Sequence, residues 1–359
     1  MSRVIDGIRT LLLKRSRFRT APASFRAPIS EDGDLRLCHV THELFRPFGM
    51  FLESSTTDSG ALEYLKGNYF NNYLVWLLTR FQQPGDRVLD LGANVGTFSL
   101  AAAAAGFQVL AVEASPKHVE LLRRSKQHNG FGDLQVVHAA ASDRPGVLRF
   151  HPAEQWGMVA HPQMAEPTIE VPAMRVDDLL EQVGWDQVHF IKIDIEGSEI
   201  AALRGMTTLL SRETSPVIVY ESNGLSLSWF GYSVGDLWKL LAGHGFRVFQ
   251  PSGERFQLCS TPYFQPEASL DLIALKPQHE RGVASRIDGP PSEEEMVERI
   301  VREAKHAHPY QRGYIAQALS QASPEVLANP TVRRMLDLLL HDPAESVRVA
   351  AHWWASRNR

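Results

Sequence analysis

Short apolar runs alternate with helical stretches from residue 87 to residue 276, and nothing else in the chain constrains its fold as much. The runs are RVLDLG (87–92), QVLAVE (108–113), LQVVHA (134–139), VHFIKIDI (188–195), PVIVYES (216–222), FRVFQ (246–250) and DLIALK (271–276). Between them lie an Ala-rich stretch at 95–105, a segment opened by Pro116 and closed by Gly130, and helical patterns at 176–183, 198–210 and 234–245. Parallel strands need long crossovers, so strands joined by helices run parallel, with helices on both faces of the sheet. No helix separates the last two runs, which therefore pair antiparallel at one edge. The predicted class is α/β: a doubly wound, mostly parallel sheet of seven strands with an antiparallel edge hairpin.

The flanks read differently. Residues 1–30 hold seven basic residues and one acid, in a chain whose formal charge is −4. The stretch VIDGIRTLLLKRSRFR lacks the ~7–15-residue apolar core of a signal peptide and reads as a solvated helix and tail, with a transit peptide or a loose membrane-surface anchor as the other readings. No run approaches the ~20 apolar residues of a membrane span, so the expected location is cytoplasmic. LRLCHV (35–40) and GMFLES (49–54) suit a hairpin, and Phe70, Tyr73, Leu74, Leu77 and Leu78 predict a helix from Tyr69 to about 81.

Residues 277–291 read as a linker. Beyond it Ser292 with Glu295, Asn329-Pro330 and Asp342-Pro343 mark helix starts. Val332, Met335, Leu336 and Leu339 form one apolar stripe, and Val347, Ala350, Ala351 and Trp354 another. With Val-Arg pairs at 332–333 and 347–348, this resembles HEAT-type repeats; a helical subdomain packed on the main body fits equally. The expected division is 1–60, a lead-in; 61–280, the α/β domain; and 281–359, a linker and helices able to meet a protein partner and dispensable for cofactor binding. Two cysteines, Cys38 and Cys259, exclude a disulfide framework and any multi-cysteine metal site. With 37 basic against 41 acidic residues, the chain lacks a nucleic-acid footprint.

The chemistry starts at VLDLGANVGTFSL (88–100). Asp90 ends a strand, Gly92 and Gly96 shape a turn, and a helix follows, offering close backbone approach and N–H groups. Glu113 ends the next strand, 21 residues after Gly92, where an acid suits the two ribose hydroxyls of an adenosine. A dinucleotide site wants G-x-G-x-x-G, but Asn94 stands where its second glycine belongs and the third is missing too. The pattern D-x-G-x-N-x-G suits S-adenosylmethionine, whose ammonium and sulfonium favour nearby carboxylates. Asp90 and Glu113 are expected on a solvated crevice, not in the core.

From about Leu62 to Lys276 the chain resembles the FkbM family of class I methyltransferases, with a Rossmann-like fold. VLDLGANVG, AVEASP and AASD match its cofactor half; IKIDIEGSEIAALRGM and PVIVYESN match its later blocks. The resemblance implies S-adenosylmethionine, O-methylation of a hydroxyl on a sugar, glycoside or natural product, and cofactor contacts at Asp90, Gly92, Asn94, Gly96, Glu113 and Asp143. It does not extend to 281–359, and the acceptor segment 151–167 is poorly matched.

In IKIDIEGSE, strand alternation puts Lys192, Asp194 and Glu196 on one face. Three charges there are costly unless paired or set at a solvated crevice, where such sheets bind ligands. An alcohol acceptor must lose a proton, so a base is needed; Asp194, Glu196 and Glu221 are the candidates, with His161 behind them. Asp194 with Glu196 has the chemistry to hold Mg²⁺, though no clear metal constellation exists. Glu199 reads as serving the following helix N-terminus, and Trp229, Phe230 and Tyr232 either stack on an acceptor or pack on the sheet. Two other functions compete: a catalytically silent methyltransferase-like binding protein, and an NAD-dependent oxidoreductase, which the missing glycines oppose.

Overall fold

The computed structural model describes residues 31–32, 34–54, 56, 72–153, 157–161, 164–259, 265, 269–319 and 324–357. The basic stretch at 1–30, the start of the expected helix at Tyr69 and Phe70, and Trp156 lie outside them. The chain forms two compact units, one ending at Tyr220 and the other beginning at Glu221.

The first unit opens with the expected hairpin. β1 (Glu31–Asp32), β2 (Leu35–His42) and β3 (Phe45–Glu53) run antiparallel in sequence order. Cys38, Val40, Phe48, Met50 and Leu52 are buried. α1 (Asn72–Phe81) buries Leu74, Val75, Leu77 and Leu78 at helical spacing. There follow β4 (Arg87–Leu91), α2 (Thr97–Ala104), β5 (Gln108–Glu113), α3 (Pro116–Asn129) and β6 (Leu134–His138). Pro116 opens α3 beside its cap Ser115, and Gly130 closes it at φ 63°. The hairpin docks on α3: Gly49 N–H donates to Asn129 Oδ1 at 2.7 Å, and Phe51 N–H to Ser125 Oγ at 3.0 Å.

The stretch after β6 forms a second sheet that the sequence pattern did not announce. β7 (Ala140–Ser142), β8 (Gly146–His151), β9 (Met158–Val159) and β10 (Ile169–Arg175) pair in the order β7-β10-β8-β9. Its core is small, centred on Ala140, Phe150 and Val171, and Val147 is exposed, so no apolar run betrays it. Next come α4 (Val176–Gln182), β11 (Phe190–Ile193), α5 (Glu199–Arg204), α6 (Thr207–Leu210) and β12 (Val217–Asn223). The single helix expected at 198–210 is broken at Gly205 and Met206, where Asp177 N–H donates to the Gly205 carbonyl and the Asp177 carboxylate accepts the Thr208 and Leu209 N–H groups at 2.9 and 3.1 Å.

Within this unit β12, β11, β4, β5 and β6 lie side by side, every neighbouring pair parallel. Val88, Leu89, Leu91, Val109, Leu110, Phe190, Ile191 and Ile193 are all inaccessible to solvent. That burial on both faces accounts for their near-continuous apolar sequence.

The second unit holds α7 (Gly224–Trp229), α8 (Val234–Gly243), β13 (Arg247–Ser252), β14 (Arg255–Leu258) and β15 (Ser269–Leu275). β13 and β15 form the expected antiparallel pair, and β14 adds a strand on the other side of β13. The expected linker is instead ordered: α9 (Pro277–Val283) leads through a short 3₁₀ turn to β16 (Ile287–Asp288), which pairs with β14. Pro277 at the first helical position starts that helix, and Lys276 N–H donates to His279 Nδ1 at 3.2 Å. The rest is helical: α10 (Glu293–Ala304), α11 (Pro309–Ala318), α12 (Pro324–Ala328), α13 (Pro330–Leu340) and α14 (Glu345–Arg357). Ile300, Ile315, Leu319, Val332, Leu339, Val347 and Ala351 form its core. Arg312 forks onto Asp342 at 2.7 and 3.0 Å and donates to the carbonyls of His306 and Ala307; Arg348 donates in the same way to those of Asp342 and Pro343.

Candidate active site

The glycine turn after β4 is held by its own hydrogen bonds. Gly92 and Ala93 N–H donate to the Val112 carbonyl at 3.0 and 3.1 Å, and Gly96 N–H to that of Ala93 at 2.9 Å. Asn94 N–H donates to Glu113 Oε2 at 2.8 Å, and Val95 N–H to Asn94 Oδ1 at 2.6 Å. Every backbone N–H from Gly92 to Gly96 thus has an acceptor. Gly92 (φ 79°) and Gly96 (φ 94°) are required by the fold itself: a Cβ at 92 would lie 1.9 Å from the Asp194 carbonyl oxygen, and one at 96 would lie 2.2 Å from Leu122 Cδ1. Asn94 adopts φ 52°, a region open chiefly to glycine and asparagine.

Glu113 is buried. Its Oε1 accepts the Ser115 N–H at 2.7 Å, and His118 Nδ1 lies 3.9 Å away. Burial opposes its ionisation, yet His118 and the two backbone N–H groups together hold its carboxyl below the usual range. Asp90 is wholly buried, not on a solvated crevice as expected. The reason is a buried cation: Lys192 Nζ lies 3.3 Å from Asp90 Oδ1 and 3.5 Å from Asp194 Oδ2, and donates to the Gly92 carbonyl at 2.9 Å. Ser99 Oγ donates to Asp90 Oδ2 at 2.6 Å. Burial pushes the Asp90 carboxyl up while Lys192 and Ser99 pull it down. Lys192 suffers the same desolvation, but its two carboxylates outweigh it and raise its pKa above the usual lysine value.

Asp194 stands just past β11, with its side chain 44% exposed. The strand ends at Ile193, so the expected alternation does not extend to Glu196. Glu196 instead sits buried in a turn at φ 53°, next to Gly197 at φ 99°. Glu199 organises that turn. It is 2% exposed, and its Oε1 accepts the N–H of Gly197 at 3.0 Å and of Ile195 at 3.4 Å. Oε2 is buried with no hydrogen-bond partner among the described residues. Burial raises the carboxyl to about 7, and the negative Asp194 adds to the effect. The sequence assigned Glu199 a local role but carried no signal of its burial.

Asp143 follows β7, in the second sheet rather than at a main-sheet strand end; its side chain is exposed and accepts from Ser142 Oγ at 3.4 Å. Glu221 continues β12 as the first residue of the second unit, and its Oε1 accepts from Ser269 Oγ at 2.7 Å. His161 lies in the loop after β9, and Trp229 closes the short helix α7.

Residues 90–248 match the model of the methyltransferase FkbM domain. The match covers 159 of the chain's 359 residues. It is 29% identical over 204 residues to the 31-O-demethyl-FK506 methyltransferase FkbM of Streptomyces tacrolimicus, covering 46% of this chain and 74% of that protein. It is 24% identical over 137 residues to the hexuronic acid methyltransferase AglP of Haloferax volcanii, covering 38% of this chain and 56% of AglP. A SAM-dependent methyltransferase structure from Aquifex aeolicus aligns at a TM-score of 0.32 and 14% identity, covering 55% of this chain and 87% of that one. Among the described residues no helix is long and apolar enough to cross a membrane.

Proposed function

We propose that this FkbM domain transfers a methyl group from S-adenosylmethionine to a hydroxyl of a sugar, glycoside or natural product. The observation that carries the reading is the set of charged groups around the glycine turn, whose own N–H groups from 92 to 96 are already bonded. What surrounds it is carboxylate, from Glu113 and from Asp194 joined to the turn through Lys192. That donor set fits a cofactor with two cationic centres and a pair of ribose hydroxyls, and does not fit a pyrophosphate. Two similar proteins are named as a 31-O-demethyl-FK506 methyltransferase and a hexuronic acid methyltransferase, which supports the acceptor class.

When bound, S-adenosylmethionine supplies an electrophilic methyl group on a cationic sulfonium. Gly92, Asn94, Gly96 and Glu113 would hold it at the turn, Asp143 would take the adenine amine, and Asp90 would act through Lys192. Orientation supplies much of the rate in such a displacement. The remaining task is the acceptor's proton, and Asp194 is the exposed carboxylate beside the turn. Lys192 orients it from 3.5 Å, with Glu196 and Glu221 as supporting acids.

The test is calorimetric and kinetic. S-adenosylhomocysteine should bind and NAD should not; NAD binding alone would sink the reading. Against a panel of uronates, glycosides and hydroxylated macrolides, Asp194→Asn should keep cofactor affinity and lose ~10²-fold or more in turnover. Glu221→Gln should lose less. A larger loss for Glu221→Gln would move the base to β12.

A further inference from the structure

We propose that the C-terminal helices are part of the acceptor side of this enzyme, because Tyr314 of α11 braces the strand end that carries Glu221. The proposal rests on the reading above, in which Glu221 serves the acceptor. None of the brace belongs to the matched domain except its anchor, since Gln265 and Tyr314 both lie beyond residue 248.

The brace is built residue by residue along 221–224. Glu221 accepts from Ser269 Oγ. Ser222, wholly buried, is clasped from both sides by Gln265: its Oγ donates to Gln265 Oε1 at 2.7 Å, and Gln265 Nε2 donates to its carbonyl at 2.9 Å. Asn223 caps α7, its Oδ1 accepting from Leu225 and Ser226 N–H at 3.2 and 3.3 Å. Gly224 lies under the Tyr314 ring: a Cβ there would lie 2.3 Å from Cε2 and 2.6 Å from the hydroxyl oxygen. Gly224 has no positive φ, so its backbone would accept alanine, and Tyr314 alone forbids it. The Tyr314 hydroxyl completes the circuit by donating to the Gln265 carbonyl at 3.3 Å.

Tyr314 also belongs to the helical core, packed among Ile300, Ile315, Leu336 and Val347. One ring therefore serves both the core of the helices and the floor under residues 222–224. A dense core transmits strain rather than absorbing it, so displacing the ring displaces the strand end. The helices set where Glu221 stands, and their effect falls on the acceptor and not on the cofactor turn.

The experiment is a double-mutant cycle in the full chain. Methyl transfer to 4-nitrophenyl β-D-glucuronide is measured with S-adenosylhomocysteine affinity and amide exchange of the peptide 217–229. Gly224→Ala should lower kcat by ~10-fold or more, since a misplacement near 1 Å carries such costs, with cofactor affinity within about twofold. Tyr314→Phe, which keeps the ring, should fall well short of that loss. In the Tyr314→Ala background Gly224→Ala should do almost nothing, because the clash is gone. Exchange across 217–229 should quicken in Tyr314→Ala and in Gly224→Ala. Equal damage from Gly224→Ala in both backgrounds, or a parallel loss of cofactor affinity, would overturn the brace. If the wild-type chain leaves the glucuronide unmethylated, the acceptor reading falls instead, and the exchange pattern alone decides the brace: unchanged exchange in all variants refutes it.

Discussion

Glutamine in place of Glu199 should make the protein progressively more stable than wild type as pH rises. Burial holds the Glu199 carboxyl at about 7 in the folded chain, against 4.5 for an ordinary glutamate. Between those values the folded chain keeps a proton that the unfolded chain releases, so stability is complete below the lower value and is lost as pH climbs through the upper one. At about 1.36 kcal/mol per unit, the loss between pH 5 and pH 8 comes to roughly 2.5 kcal/mol. Glu199→Gln does not titrate. It keeps an oxygen for the Gly197 and Ile195 N–H groups, and any cost of its buried amide is the same at every pH. The assay is urea unfolding of both proteins, followed by circular dichroism at pH 5, 6, 7 and 8. The difference in stability should grow with pH and level off above about 7.5. A difference that stays flat would show that Glu199 ionises in the fold as freely as in solution, and the burial argument would be wrong.

Asp90→Ala should destabilise the fold by about 3–5 kcal/mol, because it leaves buried Lys192 short of a counter-charge; an unchanged melting temperature would refute the pairing. Gly92→Ala should abolish S-adenosylhomocysteine binding in calorimetry, since its Cβ would overlap the Asp194 carbonyl oxygen at 1.9 Å. Gly130→Ala, at positive φ but in open space, should cost only about 1 kcal/mol in a denaturant melt and leave binding intact. Asp342→Asn should weaken the helical core by about 2 kcal/mol, seen as faster amide exchange across residues 305–319, because Arg312 loses a two-point charged partner.

Much of the geometry of the candidate site was legible because its signals are local. Asp90, Gly92, Asn94, Gly96 and Glu113 lie around one turn as their spacing predicts, since a strand–turn–helix unit places its residues by backbone geometry within one stretch of chain. The same holds for the parallel strands, whose two buried faces demand unbroken apolar runs, and for α3, whose Ser115, Pro116 and Gly130 are caps written into the sequence. What failed depended on a distant partner. The helix at 198–210 breaks where Asp177, from an earlier helix, donates to the Gly205 carbonyl and caps α6, and the linker becomes strand at β16 because β14 supplies its ladder. Asp90 looked solvated because nothing near it in sequence reveals Lys192, 102 residues away, which lets a carboxylate survive in the core. The turn's bonding was also hidden, because Val112 and Glu113, which accept from Gly92, Ala93 and Asn94, arrive on the next strand. The sequence by itself determined which segments are strands and helices and where the glycine turn lies, since periodicity and caps act over a few residues. The tertiary structure alone decided which charges are buried, which donors are spent and what Tyr314 touches, because burial and pairing belong to neighbours that only folding brings together.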